Sequence, residues 1–316
     1  MTNKNILLLS TLITLSLSVS VQAASVTPGA ALDAAKPLHI EQPQTLPTIN
    51  VPGDQSTAPI SNKDLAFTAE SFVLSGAIPG ERSALDRILS PYQGREITVG
   101  KLYEIVAALN EQLHRQGYML AKAYLPPQEI KDGKITVAIL PGRYGQLLLQ
   151  GDTPISEQQL KGIMSTAKQG AIIYKPTLEK QLLLLSDLKG VAANATFQPG
   201  KELGTSDLVI TMQTTAKHSG VVYVDNFGNR HSGRNRLGFI HHLNNIGGRG
   251  DQLTVAGLTG GSDLNNWQLS YLTPLNNQGT TLDISIGKTQ YNIGSRNFAA
   301  LDAYGNALTT SVSIKH

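Results

Sequence analysis

His241 and His242 are adjacent, and a pair of imidazoles invites a metal-binding reading. They fall in a stretch with strand patterning, where neighbouring side chains point to opposite faces, so they are not a chelating pair. The other histidines are scattered. The chain has no cysteine, which removes disulfides, thiolate metal sites and thiol nucleophiles. No Gly-x-Ser-x-Gly elbow, phosphate loop or Asp/Glu pair at helical spacing stands out. The reading is therefore no enzyme, with no catalytic residue, no metal and no cofactor. Arg249-Gly250-Asp251 spells a cell-adhesion tripeptide, but it sits in a Gly-rich turn, and so short a motif is weak. A net charge of +3 over 316 residues, without a Lys/Arg cluster, argues against a nucleic-acid partner. What remains is the chemistry of the main chain, the unpaired N–H and C=O groups that strand edges present.

The elements that would carry such edges come in two blocks that meet at residues 221–255. Before this stretch, helical and strand patterns alternate; after it there are only strands and turn residues. From Phe67 to Ala216 one unit is written twice. The first copy opens with a strand from Phe67 to Ser75 that ends at Gly76. A short helix from Glu81 to Leu89 and a longer one from Thr98 to Gln116 follow. The longer helix places Leu102, Ile105, Val106, Leu109 and Leu113 on one stripe, and Gly117 stops it. Two strands, Tyr118–Leu125 and Lys134–Leu140, close the unit around a Pro-rich loop.

The second copy repeats that order. A strand from Leu147 to Gln150 ends at Gly151, Ser156 caps a helix, and Pro176 sits in the first turn of another. Leu178, Leu182, Leu185 and Leu188 line that helix, Gly190 stops it, and strands Val191–Gln198 and Asp207–Thr215 follow. The period is about 75 residues, which argues for duplicated βααββ modules rather than one larger α/β domain.

Beyond Val221, strands are expected at 236–244, 251–259, 267–275, 280–291 and 309–314. Their length and alternation suit a membrane barrel. Five or six strands are too few to close one, so the chain is expected to be a truncated piece or to be completed by another chain. At the other end, Lys4, the apolar run Ile6–Val21 and Val21-Gln22-Ala23 form a secretory signal over residues 1–23. Residues 24–64 are rich in proline and read as a mobile tether.

These residues carry a resemblance. The run Gln112 to Gln128, with Asp132-Gly133 and Ile139-Leu-Pro-Gly-Arg143, is similar to the first POTRA module of the two-partner secretion outer-membrane transporters, the hemolysin secretion/activation family. Leu182–Gly190 with Gln198-Pro-Gly200 is similar to the second module. Asp225, Asn226, Gly228, Gly233 and Arg234, with Asn244, Gly250 and Asp251, match the start of the family's barrel. The expected fold is thus α+β: two βααββ POTRA modules, at 65–143 and 144–217. The first strands of an antiparallel transmembrane β-barrel follow, at 218–316. A plug helix, which the family carries, is doubtful within 24–64. The family's Val-Arg-Gly-aromatic loop does not occur before His316, which again implies an incomplete chain.

The resemblance implies a function as well. POTRA modules in the periplasm of a Gram-negative bacterium would recognise the secretion domain of a large exoprotein, and a barrel set in outer-membrane lipid would pass it in extended form. The protein would act as a monomer. Leu102, Val106, Leu109, Tyr118, Leu120 and Tyr124 are the expected lining of a partner-binding groove, between the long helix of the first module and the strand after it. The competing reading is an outer-membrane assembly factor, which also joins POTRA modules to a barrel but usually carries more than two.

Overall fold

A computed structural model of the chain describes residues 49–50, 63–152, 154–228, 234–261, 263–292 and 304–316. The expected signal at 1–23, most of the tether and Gly233 lie outside them. The described strands and helices in chain order begin with β1 (Ile49–Asn50), β2 (Ala66–Ala69), β3 (Ser71–Gly76), α1 (Arg82–Leu89), β4 (Arg95–Thr98) and α2 (Val99–Arg115). Then come β5 (Lys122–Tyr124), β6 (Lys134–Leu140), β7 (Arg143–Gly151), α3 (Glu157–Ile163), α4 (Lys175–Ser186), β8 (Val191–Pro199) and β9 (Thr205–Thr214). Six long strands follow: β10 (His218–Asp225), β11 (Arg236–Asn244), β12 (Gln252–Thr259), β13 (Leu264–Pro274), β14 (Thr281–Asn292) and β15 (Tyr304–Lys315).

The duplicated unit is visible in the strand pairing. In the first module β6 pairs in parallel with β3 and antiparallel with β5. In the second, β9 pairs in parallel with β7 and antiparallel with β8. Gly76 and Gly151 occupy the same place in both, ending the first strand with φ of +89° and +88°. A Cβ on either would run into the carbonyl oxygen of its cross-strand partner, Ile139 or Met212, so backbone and neighbour both demand glycine.

The helices cover one face of each sheet. Thr98 caps α2 by accepting from the Lys101 N–H at 3.2 Å, and the stripe Leu102, Ile105, Val106, Leu109 and Leu113 is buried against Ile135, Val137 and Ile139. Ser156 likewise accepts from Gln159 N at 3.2 Å. Leu160, Leu178, Leu182 and Leu185 bury there with Phe197, Leu208 and Ile210.

The expected strand Phe67–Ser75 is two strands that break at Glu70. The first, β2, pairs with β4 in a separate two-stranded sheet, and only the second joins the module. The expected strand Tyr118–Leu125 shrinks to β5, because residues 118–121 form a turn in which the Ala121 N–H donates to the Tyr118 carbonyl at 3.0 Å.

The last six strands form one antiparallel meander in the order β10-β11-β12-β13-β14-β15. The register sorts its side chains into rows. Ser219, His242, Thr254, Ser270, Ser285 and Ser311 lie side by side, one from each strand, and all are polar. The row beside it on the other face is Gly220, His241, Val255, Leu269, Ile286 and Thr310, and the next on that face is His218, Leu243, Leu253, Tyr271, Ile284 and Val312. Val222, Val224, Phe239, Trp267, Leu308 and Val312 leave large apolar groups exposed on this second face. One face thus holds an all-polar row beside rows that mix polar with apolar residues such as Ile240 and Ala256, and the other holds large exposed apolar groups with few polar residues among them; on strands of 8 to 12 residues this asymmetry is the pattern of a lipid-facing barrel wall. Among the described residues no helix is long and apolar enough to cross a membrane.

Candidate functional site

Edge strands expose main-chain groups unless something closes them, and the two modules close theirs differently. In the first, the carboxamide of Asn110 on α2 acts as a substitute strand for β5. Its Oδ1 accepts from Ala123 N at 2.6 Å, and its Nδ2 donates to Ala123 O at 3.0 Å. One helical turn on, His114 Nε2 lies 3.2 Å from Ala121 O. Where β5 stops, Gln128 repeats the device on β6. It accepts from Thr136 N and donates to Thr136 O, both at 2.7 Å. In the second module the equivalent edge, β8, is met by the chain itself: Ile49 and Asn50 pair in parallel with Ala195 and Thr196. None of these roles stood out in the sequence, where Asn110 is one of two amides in α2.

The six residues expected to line a groove are not brought together as one. Leu102, Val106 and Leu109 are 5%, 7% and 0% exposed and pack the core of the first module. They fill the space under the sheet and are closed to a partner. Tyr118 and Leu120 belong to the elbow between the modules. The rings of Tyr118 and Tyr174 lie 5.3 Å apart, and Leu120 packs against the core of the second module. Lys175 N donates to Gly117 O and Ile173 N to Gly142 O, each at 2.9 Å, so main-chain bonds join the modules too. Tyr124 alone stays on the half-buried strand β5.

The residues expected to mark the start of the barrel divide between the two ends of the sheet, about 27 Å apart along β11. At the far end Asp225 and Arg236, direct cross-strand partners, form a fork-to-fork pair at 2.7 and 2.9 Å with side chains 9% and 6% exposed. Phe227 N donates to the same carboxylate, and Gly228 N donates to Arg234 O at 3.0 Å. Asn226 and Arg234 are exposed there.

At the near end the other residues tie the sheet to the second module. Asn244 donates to Ala216 O at 3.0 Å and accepts from Gln252 Nε2 at 2.7 Å. Asn245, with φ of +55°, donates to Pro154 O at 2.6 Å and accepts from Gly250 N at 2.7 Å. Gly250 presses on Leu188, leaving no room for a Cβ, and its carbonyl accepts from Lys189 N at 3.1 Å. Asp251 is fully buried, accepting from Gly247 N at 3.0 Å and from Tyr271 Oη at 2.8 Å. An adhesion tripeptide needs an accessible aspartate, so Arg249-Gly250-Asp251 is a structural turn. As its strand position requires, His241 turns away from His242 and meets His218, with Nδ1 and Nε2 3.3 Å apart, while His242 bonds Thr254 at 2.9 Å. Among the described residues no group of three or more potential ligands gathers to hold a metal ion.

Comparison with known proteins fits this geometry. Residues 67–142, the first module, match the POTRA domain of ShlB type. The heme/hemopexin transporter protein HuxB of Haemophilus influenzae is 30% identical over 234 residues, which cover 73% of this chain and 41% of that protein. The outer membrane transporter CdiB of Escherichia coli is 24% identical over 191 residues, 60% of this chain and 32% of CdiB. The chain thus spans less than half the length of these relatives. The solved structure of CdiB from Escherichia coli superposes with a TM-score of 0.64 at 21% identity, covering 90% of this chain and 51% of that one, and so shares the fold. Tandem βααββ modules joined to a two-faced antiparallel sheet, with these relatives, place the chain in the two-partner secretion transporter family.

Proposed function

We propose that the chain forms the POTRA modules and part of the barrel of an outer-membrane transporter for a large secreted exoprotein. In this reading residues 1–23 export the protein, 24–64 are the tether, and 65–143 and 144–217 are periplasmic modules that recognise the secretion domain of the exoprotein. Residues 218–316 supply barrel strands whose apolar face meets outer-membrane lipid, and the protein works as a monomer. The polar row from Ser219 to Ser311 carries the proposal, because it gives an extended polypeptide a polar track while the opposite face carries large exposed apolar groups such as Val222, Phe239, Trp267 and Leu308. Tyr124 stays among the partner-facing residues, on the side of the first module where the edge is short.

No step of this activity asks for bond chemistry. Its elements are capture of an unfolded segment by main-chain pairing and passage along a polar wall. The test is co-expression of the gene with that of a secreted exoprotein. Deletion of residues 67–142 should drop exoprotein in the medium to background while the protein remains in the outer membrane. Undiminished secretion would contradict the proposal. A general loss of other outer-membrane barrels on depletion, with secretion intact, would instead support an assembly factor.

A further inference from the structure

His218 and His241 stand 23 residues apart in the chain, and the sheet brings them together. His241 faces Gly220 directly across β10 and β11, and His218 faces Leu243, so the two imidazoles are diagonal neighbours on the apolar face of the sheet. Gly220 makes room for their approach. A Cβ on it would lie 3.2 Å from His241 Nδ1, close enough to push against the ring whose other nitrogen reaches His218. The ring centroids are 5.5 Å apart, and His218 Nδ1 and His241 Nε2 are separated by 3.3 Å. That is longer than the roughly 2.9–3.0 Å at which N–H donors usually sit from their acceptors. It matches the bite of one tetrahedral metal ion, since two bonds of about 2.0–2.1 Å at the tetrahedral angle set their nitrogens about 3.3–3.4 Å apart.

We propose that His218 and His241 form a two-histidine site for a divalent transition-metal cation of the zinc and copper class. Neutral imidazole is the commonest protein ligand for such ions, whereas calcium and magnesium prefer oxygen. The ligands are held before any ion arrives, because all eight residues of β10 are in register with β11. His218 is exposed and His241 half-buried, so water reaches the pair and completes the coordination. Two protein ligands are fewer than a resident metal centre uses, which makes this an open, exchangeable site. His242 is no third ligand, since it points to the other face and bonds Thr254. Among the described strands β10 pairs only with β11, so an ion held between the two rings would pin the first strand of the sheet to the second. The proposal concerns these two strands alone and does not depend on the transporter reading.

The test is calorimetric titration of zinc chloride, and separately copper(II) chloride, into the full chain purified in detergent without a histidine tag. The pair should take one ion, copper more tightly than zinc by the usual order of divalent metals, and no calcium. His218→Gln and His241→Gln each keep a hydrogen-bonding side chain but remove a ligand. Either should weaken zinc binding at least about tenfold, the loss that removing even a ligand's supporting partner causes. His242→Gln should bind zinc as the unaltered chain does. Saturating zinc should slow amide exchange at Val221, Val222 and Tyr223 in the unaltered chain and leave it unchanged in the double variant His218→Gln/His241→Gln. A readout that needs no variant is the paramagnetic resonance of copper(II) on the unaltered chain, which should show two coordinated imidazole nitrogens. No zinc binding by the unaltered chain, zinc affinity indifferent to both substitutions, or bound copper without imidazole nitrogens overturns the proposal.

Discussion

Tyr144 shows how a single buried group sets a pH limit. It starts the second module, is 3% exposed, and packs 6.3 Å from the ring of Phe197. Burial pushes its phenol from the ordinary value of 10.0 up to about 12. The folded state therefore holds the proton more tightly than the unfolded chain. The associated stability is complete below about pH 10 and is lost as pH rises toward 12. Tyr144→Phe should remove this loss, worth about 2 kcal/mol, and flatten the alkaline limb of urea denaturation between those pH values; an unchanged limb would show that the phenol is not the cause. Asn110 makes a second residue-scale prediction. Asn110→Leu leaves both main-chain groups of Ala123 without their side-chain partner, a loss of about 1–3 kcal/mol. Amide exchange at Ala123 should accelerate, and unaltered protection would contradict the substitute-strand role.

Among the elements, those with strong periodicity were legible in the sequence. The stripe on α2, the strands Lys134–Leu140 and Arg236–Asn244 and the cap at Ser156 stand where the pattern puts them, because burial on one face dictates the period. Elements set by tertiary contact were not. The Tyr118–Leu125 run has strand-forming residues throughout, yet Gly117 and the elbow against Tyr174 turn its first half. β1 has no sequence signal at all, since a proline-rich tether reads as featureless until a sheet edge recruits two of its residues. The groove expected beside α2 failed for a related reason. A stripe of leucines says which face is buried, and cannot say whether a partner or the module's own sheet covers it. The edge-closing amides of Asn110 and Gln128 belong to the same class of feature: visible as residues, uninterpretable until their main-chain partners are seen.

The whole molecule is held as a series of fixed joints. Gly117, Gly142 and the Tyr118–Tyr174 pair join the modules, and the turn from Asn245 to Asp251 seats the sheet on the second module. Each joint is made by main-chain hydrogen bonds, a ring contact or a side-chain bond to the neighbouring unit's backbone. The arrangement requires the sheet to be a barrel wall with lipid on one face and water on the other. The most direct measurement uses the cysteine-free chain, placing single cysteines along β14 at Ile284, Ser285 and Ile286 in native outer membranes. A water-soluble maleimide should label Ser285→Cys and spare Ile284→Cys and Ile286→Cys, which should react instead with a lipid-soluble reagent. Equal labelling of all three by the water-soluble reagent would contradict the barrel and the transporter built on it.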